Sequence, residues 1–340
     1  MTNPGIILPG VVFWLVCGTL FAAEPPAGPA VLLRGPNLGY GFQPREGIRP
    51  ILGLPGAARW GPAIPDTAEF TAVVFAPGRD YALALRSQTR EVMLLRGLSD
   101  ALSVSAIEAI PPGPDRLALS PSGTAAVLFY GAAGKLMVLK GLPQSPAVAW
   151  ELSLAGLHAG WTSFSVTDGA EMVFVTTEED GGFWLSVVTP GAGFCKLYFR
   201  PGSAVVTALP DRTACLVAGR DENQLWVVDG VTGSLTPIAS ENEGVSRPVD
   251  IAVTGDRRSV LVANSEPWSI LAVDLQHGAT TLLSAAPGPL SLRRLSGDVF
   301  QVAGETGEIA WLLDAGASPF RVVFIPRGGG ETAASEGGAK

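Results

Sequence analysis

Short apolar runs alternate with polar turns along most of this chain, and the alternation repeats. Each unit has an apolar strand, a turn with Pro, Thr or Ser followed by Gly or Asp, a second apolar strand, a polar hairpin and a third strand. The copies are VVFAPGRDYALALRS, LALSPSGTAAVLFYG, SFSVTDGAEMVFVTT, TALPDRTACLVAG, IAVTGDRRSVLVANS and LRRLSGDVFQVAG. Aligned on Pro77, Pro121, Thr167, Pro210, Thr254 and Ser296, they are spaced 44, 46, 43, 44 and 42 residues apart. Such an even period indicates a repeat architecture.

A fourth strand follows the third in several units, as in AVAWELSLAG, CKLYFRPG and PFRVVFIP. Four antiparallel strands in about 44 residues are typical of a β-propeller blade. The apolar runs are nearly continuous, which fits strands buried on both faces between neighbouring blades. The sequence therefore predicts an all-β fold, a β-propeller of four-stranded antiparallel blades.

The number of blades depends on the segment before the first clear unit. Residues from Thr71 to Arg327 account for six blades, and those from Glu24 to Phe70 supply one more blade's length. That segment is rich in Pro and Gly, but AVLLRG, LGYGFQP and IRPILG suit two or three strands. We favour seven blades, with the N-terminal segment closing the ring, and six is the alternative.

Two rows of residues recur at the third strand. Equivalent positions in five units hold Met93, Met137, Trp226, Leu271 and Trp311. A row that recurs in this way indicates inter-blade core rather than a ligand site. A second row, Asp229, Asp274 and Asp314, comes at the strand's end, where a short acid can accept bonds from nearby backbone and set the turn.

The two ends of the chain predict export and a tail. Residues 1–23 contain an apolar stretch from Ile6 to Ala22, followed by small residues and a Pro-rich spacer, as in a signal peptide. An uncleaved N-terminal anchor is the alternative, and only in that case do we expect membrane attachment. We expect a single propeller domain over 24–327, a disordered tail over 328–340, and an extracytoplasmic location: periplasmic, secreted or associated with the cell envelope.

Composition agrees with this fold and disfavours a nucleic-acid partner. Hydrophobic residues make up 47% and charged residues 16%, with 42 Gly and 28 Pro, which disfavours a helical bundle or a disordered chain. The net charge is −8 and no basic cluster with interleaved aromatics occurs, so we expect no nucleic-acid partner.

We expect Cys195 and Cys215 to be buried free thiols, with a disulfide between them as the alternative. We expect a monomer.

Two stretches resemble a known repeat. SVLVANSEPWSILAVDLQHG and ACLVAGRDENQLWVVDGVTG are similar to the YVTN-type propeller repeat of bacterial exported and surface proteins. The matching residues are Val262, Ala263, Asn264, Ala272, Val273, Asp274, Asp229, Thr232 and Gly233. The match is good in the fourth and fifth units and degenerate elsewhere. The resemblance implies a propeller fold and export, but hardly any function, because such propellers serve in binding and beside redox enzymes.

Few residues suit catalysis. No GxSxG, P-loop, HExxH or CxxC motif occurs, and the only histidines, His158 and His277, are expected on opposite faces in surface loops. The inner strands carry Arg116, Thr162, Asp250, Arg293 and Arg294, with Trp161 and Arg247 just before two of them. The candidate ligand-binding residues at the axial mouth are Arg116, Trp161, Arg247 and Asp250, and the alternative is that they pair with one another in a wet channel.

These observations favour an exported, non-catalytic propeller that binds a partner protein or extracellular ligand on a loop face. We name no catalytic residue and expect neither a cofactor nor a metal, because the mouth has too few acids for a calcium or magnesium site. Two alternatives remain. One is a propeller hydrolase or lactonase with its site at the axial mouth, and the other is a propeller subunit that serves a redox enzyme.

Overall fold

The computed structural model describes residues 36–154, 160–284, 288–304 and 310–325, which all belong to one compact unit. Over these ranges the chain forms 27 strands and two short 3-10 helices, Pro55–Ala57 and Glu241–Glu243, and no α-helix. None of the helices in the described ranges is long and apolar enough to cross a membrane. The predicted all-β class is confirmed.

Seven antiparallel sheets follow one another along the chain, and we number them blades 1 to 7. Blade 1 has three described strands, β1 (Asn37–Gln43), β2 (Gly47–Leu52) and β3 (Arg59–Trp60). Blade 2 has β4 (Phe70–Phe75), β5 (Tyr81–Arg86), β6 (Val92–Arg96) and β7 (Ser103–Ala106). Blade 3 has β8 (Arg116–Leu119), β9 (Ala125–Tyr130), β10 (Lys135–Lys140) and β11 (Ala147–Ser153).

The remaining four blades also have four strands each. Blade 4 has β12 (Trp161–Val166), β13 (Val173–Glu179), β14 (Gly182–Thr189) and β15 (Gly193–Pro201). Blade 5 has β16 (Ala204–Ala208), β17 (Ala214–Gly219), β18 (Gln224–Asp229) and β19 (Leu235–Ala239). Blade 6 has β20 (Pro248–Val253), β21 (Ser259–Ser265), β22 (Trp268–Asp274) and β23 (Thr280–Ser284). Blade 7 has β24 (Pro289–Arg294), β25 (Val299–Gly304), β26 (Ala310–Asp314) and β27 (Arg321–Ile325).

The first strand of each blade lies innermost, and from blade 1 to blade 7 each first strand contacts the first strand of the next blade. The ring closes between blades 7 and 1, where the Ser296 amide donates to the Leu38 carbonyl (3.0 Å). Gly39 has a φ of +143° there, and a Cβ on it would lie 2.9 Å from Leu295 Cδ2. The fold is therefore a seven-bladed propeller, which confirms the favoured count and the closing role of the N-terminal segment.

The core lies between blades, and it explains the unbroken apolar runs of the sequence. The second strands β5, β9, β17 and β21 are buried along almost their whole length. One cluster joins Leu94 of blade 2 to Leu128 and Met137 of blade 3, and another joins Phe174 of blade 4 to Trp226 of blade 5. The predicted row is confirmed as inter-blade core: Met93, Met137, Trp226 and Leu271 are buried, and Trp311 packs against the core of blades 6 and 7.

The aspartates at the ends of the third strands accept hydrogen bonds from different kinds of donor. Asp229 Oδ1 accepts from the amides of Val231 and Thr232, at 3.0 and 2.7 Å, as the turn prediction requires. Asp274 Oδ1 accepts in the same way from the amides of Gln276 and His277. Asp314 Oδ2 instead accepts hydrogen bonds from Nε and Nη2 of Arg321 in the next strand. The prediction that Asp314 sets the turn is therefore corrected.

The two cysteines lie at different depths, in neighbouring blades, and both are free. Cys215 is buried in β17, and burial raises the pKa of its thiol well above the ordinary range. Cys195 is exposed on the outer strand β15, so the expectation that both thiols are buried is corrected for this residue. The predicted segments 1–23 and 328–340 and the loop histidine His158 lie outside the described residues.

Asn264, at the end of β21, is fully buried and makes three hydrogen bonds. Its Oδ1 accepts from the Ser246 amide at 3.0 Å, and its Nδ2 donates to the Gly244 carbonyl at 2.9 Å and to Ser269 Oγ at 3.0 Å. The side chain thus fixes the connection from blade 5 to blade 6 against the hairpin of blade 6. This Asn of the repeat is a structural tie.

Replacing Asn264 tests that tie. In Asn264→Ala the Ser246 amide and the Gly244 carbonyl lose their partner, and each unsatisfied buried group costs about 1–3 kcal/mol. We expect the free energy of unfolding, measured by urea denaturation, to fall by about 2–4 kcal/mol. Asn242→Ala is the control, because that side chain is exposed on the same connection. Equal stability of the two variants would contradict the assignment.

Candidate functional site

The two faces of the propeller differ in what they carry. The connections between blades and the hairpins between second and third strands lie on one face, which we call the loop face. The turns between first and second strands, such as Thr254 to Arg257, lie on the other, which we call the turn face. Each inner strand begins at the loop face and ends at the turn face, so the position of a residue along an inner strand gives its depth in the channel.

A cavity of about 590 Å³ occupies the central channel. Its lining comes from the middle and end of the inner strands and from the turns that follow, including Pro77, Pro121 and Pro210. The cavity therefore lies towards the turn face. Leu117, Ala208 and other apolar residues form much of its wall, and its size falls within the range of small-molecule pockets.

Asp250, in the middle of β20, is a carboxylate in this wall. Its Oδ2 accepts from the Leu292 amide of blade 7 at 2.6 Å, and its Oδ1 from the Ile251 amide at 2.8 Å. Ser163, the equivalent residue of blade 4, accepts from the Val206 amide of blade 5 in the same way. Desolvation outweighs these bonds and raises the pKa of Asp250 to about 6.

The other three predicted site residues lie nearer the loop face. Arg116 Nη1 donates to the carbonyls of Trp161 (2.8 Å) and Thr162 (3.1 Å), which ties blade 3 to blade 4. Trp161 is buried and stacks on Phe129, with ring centroids 4.6 Å apart. These are cross-blade contacts made by the scaffold.

Arg247 points to the hairpins of two blades rather than into the cavity. Its Nη2 lies 4.0 Å from Asp221 Oδ1 and its Nε 3.6 Å from Glu266 Oε1. The structure therefore brings Arg116 and Trp161 together, places Arg247 in an ion-pair chain on the loop face, and puts only Asp250 of the four in the cavity wall. Their role in ligand binding stays a prediction.

A cleft on the loop face between blades 4 and 5 was not predicted from the sequence. It has a volume of about 420 Å³ and is lined by Glu178, Glu179, Asp180, Asp221 and small residues. Asp180 and Gly181 have φ of 52° and 78°, the geometry of a two-residue hairpin turn. The acids were visible in the sequence, but Asp221 joins them only through the packing of blade 5 on blade 4.

His277 is exposed in its turn, with its ring nitrogen 3.2 Å from Asp274 Oδ1, as predicted for a surface residue. Within the described ranges no group of three or more His, Cys, Asp or Glu side chains is close enough to hold a metal ion.

Comparison with known proteins extends only to the fold. No protein-family model matches this chain, and no curated protein sequence matches it. Among solved structures it is similar to virginiamycin B lyase from Staphylococcus aureus, with a TM-score of 0.53 and 13% identity over 75% of this chain and 83% of that one. It is also similar to Hsv2 from Kluyveromyces lactis, with a TM-score of 0.51 and 11% identity over 86% of this chain and 98% of that one. At such identity the likeness supports a propeller and no particular activity.

Asp250→Asn tests the burial of this carboxyl. Because the folded-state pKa of about 6 lies above the ordinary 3.8, the protonated carboxyl favours folding below about pH 4, and this contribution is lost as the pH rises through 6. The uncharged amide removes that dependence. Between pH 4 and pH 8 we expect the stability of Asp250→Asn relative to wild type to rise by up to about 3 kcal/mol, measured by urea denaturation.

Asp100→Asn is the matched control, because Asp100 is exposed. Its stability should follow that of wild type at every pH. If Asp250→Asn also runs parallel to wild type from pH 4 to pH 8, the carboxyl is not destabilised by burial.

Proposed function

We propose that this protein is an extracytoplasmic, non-catalytic binding propeller whose loop face holds a partner protein with a basic surface. The observation that carries the proposal is the set of exposed carboxylates around the loop-face cleft. Glu178 and Asp180 are exposed, and neither has an ion-pair partner among the described residues. Uncompensated charge of one sign on a concave surface attracts a partner of the opposite sign.

The charged surface continues into blade 6 and ends at an aromatic side chain. Arg247 contacts Asp221 at the cleft and Glu266 in the next hairpin, two residues before Trp268. Trp268 is half exposed, and its indole packs beside Gly288, where a Cβ would lie 2.6 Å from Nε1. An exposed, partly supported Trp beside charged groups is typical of the residues that dominate binding energy at protein interfaces.

The polar groups of the channel are engaged by the scaffold, which favours a binding function over a catalytic one. Asp250 is engaged by two backbone amides and Arg116 by two backbone carbonyls, so both serve the scaffold. A general acid or base needs its reacting atom within hydrogen-bond reach of substrate. Glu178 and Asp180 of the loop face, in contrast, are open to solvent and form no ion pair with a described residue.

The test compares capture of partners from an envelope extract by wild type and by Glu178→Gln/Asp180→Asn/Asp221→Asn. We expect the neutral variant to retain the captured protein about tenfold less, because the cleft loses three negative charges, two of which have no ion-pair partner among the described residues, and we expect wild-type capture to weaken with added salt. Asp66→Asn/Asp100→Asn/Glu108→Gln is the control, since it removes three exposed charges elsewhere. It should retain the partner as wild type does.

Three results would contradict the proposal. If the two triple variants capture equal amounts of the partner, the carboxylates of the cleft do not contribute to binding. Turnover of lactones or phosphoesters that Arg116→Ala or Asp250→Ala abolishes would replace binding by hydrolysis at the axial mouth, and co-purification with a haem or quinone protein would favour the redox alternative.

A further inference from the structure

The channel cavity contains two arginines, Arg293 and Arg294, that form no ion pair with an acid of the described residues. Arg293 is deep in the wall, where its Nη2 donates to the Tyr40 carbonyl at 2.5 Å and to Gln301 Oε1. Its guanidinium carbon lies 4.7 Å from the centre of the Phe75 ring. No carboxylate of the described residues is within ion-pair distance of Arg293, and burial lowers its pKa to about 10.

Arg294, the next residue of β24, lines the same cavity. Its Nε is buried and has no hydrogen-bond partner among the described residues. Burial lowers the pKa of Arg294, the charge of Asp298 raises it, and the nearby Arg257 lowers it further. A desolvated guanidinium is costly unless acceptors meet it, and neither arginine forms an ion pair with an acid in the described ranges, so a bound anion would stabilise both.

The carboxylates nearest to these arginines are engaged by backbone. Asp250 accepts from the amides of Leu292 and Ile251, and Asp298 Oδ1 accepts from the Gly255 amide. Asp250, Arg293 and Arg294 are the only charged residues of the cavity lining that the structure describes. The cavity therefore has a net charge of +1 with Asp250 ionised and of +2 with Asp250 protonated.

We propose that the turn-face half of the channel binds a small organic carboxylate, whose oxygens accept hydrogen bonds from Arg293 and Arg294 while its apolar body fills the cavity. Guanidinium groups bind carboxylates through paired donors. The rest of the lining is mainly Pro, Leu, Ala and Val, with small hydroxyl side chains, which suits an apolar body better than the hydration shell of a phosphate. The volume of about 590 Å³ leaves room for a compact ring or short chain.

Asp250 couples this site to pH. The strands packed against β20 are β16, β17, β21 and β24. Their titratable residues are Cys215 on β17 and the two arginines on β24, so Asp250 has no acidic neighbour on these elements. Its ionised form repels a bound carboxylate, and its pKa is raised to about 6. Binding should therefore tighten as the pH falls from 7.5 to 5.5.

The test is titration of the full-length protein with benzoate by calorimetry at pH 5.5 and pH 7.5, with benzyl alcohol and inorganic phosphate as comparison probes. We expect benzoate to bind more tightly at pH 5.5 than at pH 7.5, and more tightly than either comparison probe. In Asp250→Asn the affinity should be the same at both pH values and close to that of wild type at pH 5.5.

Two arginine variants and a control locate the site. Arg293→Gln and Arg294→Gln should each weaken benzoate at least tenfold, whereas Arg212→Gln, which changes an exposed arginine on the turn face, should stay within twofold of wild type. Arg294→Gln keeps the test decisive if Arg293→Gln fails to fold, because the Arg294 Nε has no bond to lose.

Absence of benzoate binding to wild type at pH 5.5 up to 20 mM would overturn the proposal, as would unchanged affinity in Arg294→Gln. Tighter binding of phosphate than of benzoate would overturn the assigned ligand class. These outcomes are independent of the loop-face proposal, which concerns the opposite face.

Discussion

Contact between neighbouring blades is the constraint on which the whole structure depends. A four-stranded sheet with second and third strands apolar on both faces cannot remain exposed to water, so each blade needs a neighbour on either side. A ring meets that need without leaving a terminal blade uncovered. Here Leu38 and Ile51 of blade 1 pack with Val299 and Leu312 of blade 7, and this contact makes the ring complete.

Closing the ring brings the inner strands edge to edge, and their backbone amides then need acceptors. Asp250, Ser163 and Ser165 supply them, each accepting from an amide of the following blade. Asp250 thus accepts a cross-blade hydrogen bond as Ser163 does in blade 4, but its carboxylate also carries the cost of a desolvated charge. Asp250 is therefore both part of the scaffold and a pH-sensitive group in the channel wall.

Much of the fold could be predicted from the amino-acid sequence. The period of about 44 residues, the nearly unbroken apolar strands and the turns with Gly, Asp and Thr are local features, and they predicted blades, hairpins and the inter-blade place of Met137 and Trp226. Asp229 and Asp274 set their turns through bonds to residues two and three positions on, which a sequence displays directly. The propeller fold implied by the resemblance to YVTN-type repeats is confirmed, and membership of that group stays a prediction.

The candidate site depended on relations between blades that a period cannot display. All four predicted site residues lie on or beside inner strands: Arg116, Trp161, Arg247 and Asp250. Their side-chain rotamers and their positions along the channel nevertheless lead to different contacts. Arg247 contacts Asp221 and Glu266, and Arg116 contacts the backbone of blade 4. The sequence by itself determined the repeat, the fold and the inner strands that line the channel, because those follow from local patterning. Only the tertiary structure decided that Arg293 and Arg294 share a cavity in which Asp250 is the one acid that the structure describes, and that Asp221 joins the acids of the neighbouring hairpin, because these distances arise when the ring closes.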